Sequence, residues 1–358
     1  MPHVSRRELL KAGGIAAAAG SVVPSLVCAA ESARSIAHVA PVSLVDPELL
    51  PPLESFLKSG GDDVLGAKNL QQARKLWVTS SAAPAPVYEE RSIPGPNGAP
   101  EVHVIVINAA TSKDKRPVIL HIHGGGFVAG TAAQGVPRLQ QLAHDHDCVI
   151  VTVDYRLAPE TRFPGSLEDI YAALKWLHHS AESLGVDPSR IVLMGESSGG
   201  GHAAMLAIAA RDRGEVSIAF QLLIYPMLDD RTGSSRQVPA HIGSNVWVPA
   251  ENRFAWSSLL GVPAGSRTVP AGAVPARVES LGGLPPAFIG VGSLDLFVDE
   301  DIDYAKRLIN WGVQTELLVV PGAYHGFDVI APEAAPSKAF HANWTAALAR
   351  ALERGGGS

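Results

Sequence analysis

The chain has 358 residues, 46% hydrophobic and 18% charged, which is ample length and apolar content for one large globular domain with insertions. Its formal net charge of −6 at pH 7 argues against nucleic acid as a partner. No internal repeat or low-complexity tract interrupts it outside the termini.

In chain order, Ser5-Arg6-Arg7-Glu8-Leu9-Leu10-Lys11 precedes a mildly apolar stretch from Ala12 to Val27 that is broken by Gly13, Gly14, Gly20 and Pro24. This is the pattern of a twin-arginine export signal, and it is too interrupted for a span of about 20 strongly apolar residues. Small residues at Val27-Cys28-Ala29-Ala30 suit cleavage, so residues 1–30 are expected to leave. A periplasmic or secreted protein without a stable membrane anchor is the expectation. Cys28 would go with the signal, leaving Cys148 alone and no intrachain disulfide. Three positive charges and one negative would also go, making the mature chain more acidic.

Residues 31–90 form an N-terminal segment with helix-like periodicity from about 46 that ends in Pro84-Ala85-Pro86. From there, short β-branched apolar runs near 102–108, 117–122, 148–154, 190–195, 220–225, 287–291 and 315–320 predict strands. Helices are predicted near 166–184, 199–213, 300–311 and 337–353. The alternation is that of an α/β fold with a mostly parallel central sheet flanked by helices. A Pro/Gly/Arg-rich insertion at 229–285 divides the core into 91–228 and 286–354, and the terminal Gly355–Ser358 reads as a flexible tail.

The chemistry concentrates at Gly195-Glu196-Ser197-Ser198-Gly199-Gly200, between a strand run and a helix-forming run. A strand-to-helix turn this sharp strains its central residue and needs Gly195 and Gly199 where a Cβ would clash. It leaves the Ser197 hydroxyl outward, beside the free N–H groups and positive end of a helix, the arrangement of a nucleophile elbow. Upstream, His123-Gly124-Gly125-Gly126 opens a loop at a strand end and exposes backbone N–H groups that could hold an oxyanion. No Lys-Ser/Thr pair follows and no acidic residue sits where a ribose would need one, which argues against a nucleotide cofactor.

A serine hydroxyl needs a base to take its proton and a carboxylate to orient that base. In the order Ser, acid, His, the candidates are Asp295 and His325, each just past a strand run and so at the sheet edge where sites form. Asp299 and Asp301 are rivals for the acid, although a helix from about Val298 would make them capping or surface charges. His121, His123, His144 and His146 raise the question of a metal, but neither a cysteine partner nor an H-E-x-x-H helix supports one, so none is expected.

Together HGGGF at 123–127, Asp154-Tyr-Arg-Leu-Ala-Pro-Glu160, GESSGG, Tyr225-Pro-Met-Leu228, the Asp295 loop and Tyr324-His-Gly-Phe327 resemble, in their order, the landmarks of the hormone-sensitive-lipase-like, or bacterial family IV, esterases of the α/β-hydrolase superfamily. The resemblance covers residues 45 to 350. It implies the α/β-hydrolase fold with a helical cap, Ser197 as nucleophile, His325 as general acid/base and Asp295 as its orienting carboxylate. Gly125, Gly126 and Ser198 would donate to the oxyanion, and His123 would hold the glycine loop. Family members often carry alanine at the position of Ser198, whose backbone N–H serves equally. The cap would come from 31–90 and 229–285, with Trp77, Trp247, Phe254 and Trp256 available to line it. The implied activity is hydrolysis of small, short-acyl esters through an acyl-enzyme. Amide hydrolysis by the same triad and a non-catalytic binding protein on the same fold are the alternatives.

Overall fold

The computed structural model describes residues 44–61, 64–76, 82–96, 98–111 and 114–353. The expected export signal, Trp77 and the tail from Gly355 lie outside these residues. The strands are β1 (Tyr88–Ile93), β2 (Val102–Ile107), β3 (Arg116–Ile122), β4 (Val149–Asp154), β5 (Val186–Glu196), β6 (Phe220–Ile224), β7 (Ala287–Gly292) and β8 (Thr315–Val320). They form one sheet in the order β1-β2-β4-β3-β5-β6-β7-β8. The β1/β2 and β2/β4 pairs are antiparallel, and every pair from β4/β3 to β7/β8 is parallel.

Both faces of this sheet are covered, which is why its central strands read as unbroken apolar runs. Val104, Val118, Leu120, Val151, Ile191 and Leu193 face one buried cluster, while their chain neighbours Ile105, Ile119, Ile150, Val192 and Met194 face another. Among the helices are α1 (Leu50–Phe56), α2 (Leu70–Leu76), α3 (Val136–Asp145), α4 (Gly165–His179), α5 (Ala181–Leu184), α6 (Ser198–Arg213), α7 (Pro249–Leu260), α8 (Val298–Asn310), α9 (Phe327–Ile330) and α10 (Ala335–Glu353). Ile170 and Leu174 of α4 join Met205 and Leu206 of α6 and Tyr304 of α8 on the first face. Leu53 of α1, Leu139 of α3 and Phe340 and Trp344 of α10 cover the second.

Several elements depart from the sequence-based expectation, among them the unpredicted helices α3 and α9 and the three that follow. β1 begins at Tyr88, inside the stretch assigned to the N-terminal segment up to residue 90. Its sequence, Tyr-Glu-Glu-Arg-Ser-Ile, is mostly exposed and polar, as suits an edge strand, and so lacks the apolar run that marks the others. The predicted helix 166–184 is two helices, α4 and α5, separated at Ser180. A further helix, α7, stands within the insertion at 229–285, begun by Pro249 and ended by Gly261 in the left-handed region at φ 70°.

Two contacts outside the sheet matter for the site. The first described residues latch onto the β8–α9 loop and the start of α10: Asp46 N donates to Gly322 O (3.1 Å), Tyr324 Oη to Leu49 O (3.2 Å) and Ala335 N to Glu48 Oε2 (2.9 Å). Within the insertion, fully buried Asp230 accepts Arg277 Nε (2.7 Å) and Nη2 (2.8 Å) and the amide of Gly265 (2.9 Å).

Removing one partner of a buried ion pair strands the other, at about 3–5 kcal/mol. Arg277→Ala is therefore expected to lower the chemical-denaturation midpoint sharply. The double variant with Asp230→Ala is expected to recover part of the loss. Equal midpoints for wild type and Arg277→Ala would refute this account of the insertion.

Candidate active site

β5 ends at Glu196 and α6 begins at Ser198, so Ser197 alone makes the turn. Its backbone sits at φ 55°, ψ −123°, a region a residue with a Cβ enters only under constraint. That constraint is visible: Ser197 N donates to Ile224 O (2.9 Å), and Ser197 O accepts the amides of Gly201 and Met227, both at 3.0 Å. The turn also presses onto neighbouring backbone. A methyl group on Gly199 would lie 2.0 Å from Ile122 O, and one on Gly195 would lie 2.3 Å from Gly199 O.

The Ser197 hydroxyl donates to His325 Nε2 (3.0 Å), and His325 Nδ1–H donates to Asp295 Oδ2 (2.8 Å). Asp295 is fully buried, and its Oδ1 accepts the amide of Phe297 (3.0 Å), which fixes the carboxylate plane. Aromatic rings box the imidazole: Tyr225 and Phe297 meet it edge-on at centroid distances of 4.9 and 5.2 Å, and Trp247 lies tilted at 6.3 Å. Ser197 and His325 are only 9% and 8% exposed.

The glycine loop lies against the elbow, with the Cα of Gly124 so close that a methyl there would meet Ser197 Cβ at 3.5 Å. Gly125 at φ 119° turns the chain so that its carbonyl accepts the amides of Val128 (3.1 Å) and Ala129 (2.9 Å). Ser198 opens α6, and first-turn N–H groups have no intrahelical acceptor. His123 Nδ1–H donates to Gly124 O (2.8 Å), its ring stacks on Tyr155 at 4.3 Å, and Tyr155 Oη donates to His123 O (2.9 Å). Burial, partly offset by the Gly124 carbonyl, lowers the His123 pKa to about 4, so this ring is neutral near pH 7 and serves as a loop brace.

Behind the elbow, Glu196 joins a network that the sequence did not reveal. Its carboxylate accepts Arg138 of α3 and His121 Nε2–H (3.0 Å), and His121 Nδ1 lies 2.8 Å from the Thr152 hydroxyl. Burial alone would raise the Glu196 pKa, but the Arg138 guanidinium and His121 outweigh it and hold the group at about 2. No local signal marks these partners, since Arg138 is 58 residues from Glu196 and reads as one polar position of an amphipathic helix.

Other sequence candidates fall elsewhere. Asp299 is exposed on the first turn of α8, whereas Asp301 is fully buried with neither carboxylate oxygen partnered, and His325 bonds to Asp295 rather than to either. Among the described residues no group of three or more His, Cys, Asp or Glu is arranged to hold a metal. Trp247 reaches the site, its indole edge 2.5 Å from where a methyl on Gly126 would stand. Trp256 instead packs edge-on against Phe127 (4.9 Å) in the core, and Phe254 packs partly buried against the same cluster.

The depressed Glu196 pKa carries a sign. A carboxyl ionised more readily in the folded state than in the unfolded one stabilises the fold above pH 4.5, and that contribution is lost as pH falls toward about 2. Denaturant midpoints measured from about pH 5 down to about pH 3 are expected to fall more steeply for wild type than for Glu196→Gln. Parallel curves would overturn the assignment of this charge.

A family model for the α/β-hydrolase fold matches residues 119–329. Carboxylesterase NlhH of Mycobacterium tuberculosis is 34% identical over 321 residues, covering 86% of this chain and 96% of that protein. Esterase LipI of the same organism is 32% identical, covering 79% and 88%. The solved structure of a bacterial heroin esterase superposes with a TM-score of 0.76 at 35% identity, over 87% of this chain and 99% of that one. The residues matched by the family model contain the elbow and both loops that carry Asp295 and His325, and the likenesses together make the protein a serine hydrolase acting on carboxylic esters. The chain belongs to the hormone-sensitive-lipase-like family of α/β-hydrolase-fold esterases.

Proposed function

We propose that the protein is an exported carboxylesterase that hydrolyses small, uncharged esters with short acyl chains through an acyl-enzyme formed on Ser197. The observation that carries this reading is the unbroken hydrogen-bond chain from Asp295 through His325 to the Ser197 hydroxyl. His325 Nε2 takes the hydroxyl proton as Ser197 Oγ attacks the ester carbonyl, and Asp295 steadies the imidazolium that forms. The backbone N–H groups of Gly125, Gly126 and Ser198 receive the oxyanion. The tetrahedral intermediate collapses as His325 protonates the departing alcohol. Water then attacks the acyl-enzyme, with His325 as its base, and releases the acid.

Short acyl length and a cap belong together in this reading. The described part of the N-terminal segment ahead of β1, residues 44–61, 64–76 and 82–87, and the insertion at 229–285 are assigned to a roof over Ser197. Its support is the position of Trp247, which reaches both Gly126 and the His325 ring and narrows the space above them. Export is favoured by the Ser5-Arg6-Arg7 motif and the broken apolar stretch that follows. Among the described residues no helix is long and apolar enough to cross a membrane.

Ser197→Ala is expected to reduce turnover of an aryl acetate by a factor on the order of 10⁴ or more, and to abolish labelling by an organophosphonate. Substantial turnover in that variant would defeat the mechanism. In an acyl-chain series, kcat/KM should peak at short chains, and Trp247→Ala should move the peak to longer ones. Each newly buried methylene is worth about 0.8 kcal/mol, or about fourfold in kcat/KM. A wild-type optimum at long chains, or an unmoved optimum in the variant, would remove Trp247 from this role.

A further inference from the structure

Glu251 does two things that no other described side chain in the insertion does at once. It is buried, its Oε2 accepts the amide of Val248 (2.9 Å) at the start of α7, and its Oε1 accepts the amide of Leu65 (2.9 Å), 186 residues earlier in the chain. The first bond is local capping of α7 by its own third residue. The second is not required by the helix at all. It fastens the stretch at residues 64–76 to the insertion, through one carboxylate.

Each end of that tie leads to the reaction centre. Arg74, in the same stretch as Leu65, donates from Nε to Val128 O (2.7 Å) and from Nη2 to Ala158 O (2.9 Å), and pairs with Glu160. Val128 is the residue whose amide meets the carbonyl of Gly125. On the other side, Val248 follows Trp247, and the next residue after Glu251, Asn252, accepts Trp247 Nε1–H (3.4 Å) while donating to Thr232 O (2.8 Å). Glu251 thus stands between the braces of the glycine loop and the indole that abuts it.

We propose that Glu251 is a positioning residue for substrate selection: by holding Leu65 and Val248 together it fixes Trp247 over the glycine loop, and so sets the acyl length that the site admits. The inference rests on the ester-hydrolase reading above. It assigns Glu251 no contact with the substrate. A carboxylate is needed because both oxygens must accept an N–H, whereas a glutamine offers one acceptor and turns an NH₂ toward the other amide.

The test is a double-mutant cycle read in selectivity. Glu251→Gln, Trp247→Ala and the double variant are assayed for kcat and KM on matched aryl esters of short and long acyl chains, alongside the thermal midpoint of each. Glu251→Gln is expected to raise KM for the short ester and to lower the short-to-long ratio of kcat/KM by about tenfold, the scale of one buried amide left unpaired. In the Trp247→Ala background the same substitution is expected to change the ratio by less than about twofold, because the two residues act through one another. A lowered midpoint with an unchanged ratio, or equal effects in both backgrounds, would reduce Glu251 to a structural cap and overturn the proposal. Amide exchange in the wild-type protein tests the tie without any variant: Leu65 and Val248 should share one protection factor, and widely different values would break it. A wild-type protein that turns over no ester in the series would instead sink the function reading, while a shared protection factor would still stand.

Discussion

The backbone of Ser197 is the constraint on which the rest of the site depends. A residue with a Cβ at φ 55°, ψ −123° is strained by about 1–3 kcal/mol, and it stays there only because its surroundings leave no alternative. Its amide is held by β6, its carbonyl by two amides beyond it, and the glycines around it are packed against backbone too closely for any side chain. The strain lifts the hydroxyl out of the sheet edge and turns it toward an imidazole delivered from a different strand. Relaxing the turn would leave the same residues in the chain but no line of hydrogen bonds through them.

The two sides of this turn have opposite characters. On the Glu196 side, an ionised carboxylate is satisfied by a guanidinium, an imidazole and, one step further, a hydroxyl. On the Ser197 side, three aromatic rings crowd the imidazole and leave it few directions in which to turn. Adjacent residues thereby divide the work, one anchoring the elbow electrostatically while the other presents its hydroxyl to His325 in a largely buried setting. A low-dielectric setting strengthens every hydrogen bond within it, so the packing around His325 and the charges behind Glu196 are complementary parts of one arrangement.

Much of this was legible in the sequence because the relevant residues need particular neighbours along the chain. Gly195, Gly199 and the three glycines after His123 announce close approach of backbone, and the central strands announce burial on both faces. Asp295 and His325 could be paired with Ser197 from their order in the chain and their position after apolar runs. The rest was hidden for definable reasons. β1 is a polar edge strand and carries no apolar period. Arg138, Thr152 and Glu251 take their meaning from partners 58, 31 and 186 residues away, and a side chain whose partner is remote looks, locally, like any other polar position. Asp301 illustrates the converse, since its nearness in sequence to Asp295 made it a rival although its carboxylate bonds to nothing described.

The latch between the first described residues and the loop before His325 has a consequence for how the chain comes to be active. Tyr324 and Leu49 are 275 positions apart, and both Leu49 and Leu53 are wholly buried once the loop is in place. A chain emerging at about 5–20 residues per second makes Leu49 wait roughly 14 to 55 s for the partner that covers it. Through that interval an apolar stretch stands uncovered, and the imidazole that completes the hydrogen-bond chain has not yet been made. The hydrogen-bond chain can therefore close only late in synthesis, once the loop that carries His325 has been made and has met the residues from Asp46 to Leu53. A chain that stops short of that loop has Ser197 but not the imidazole it bonds to.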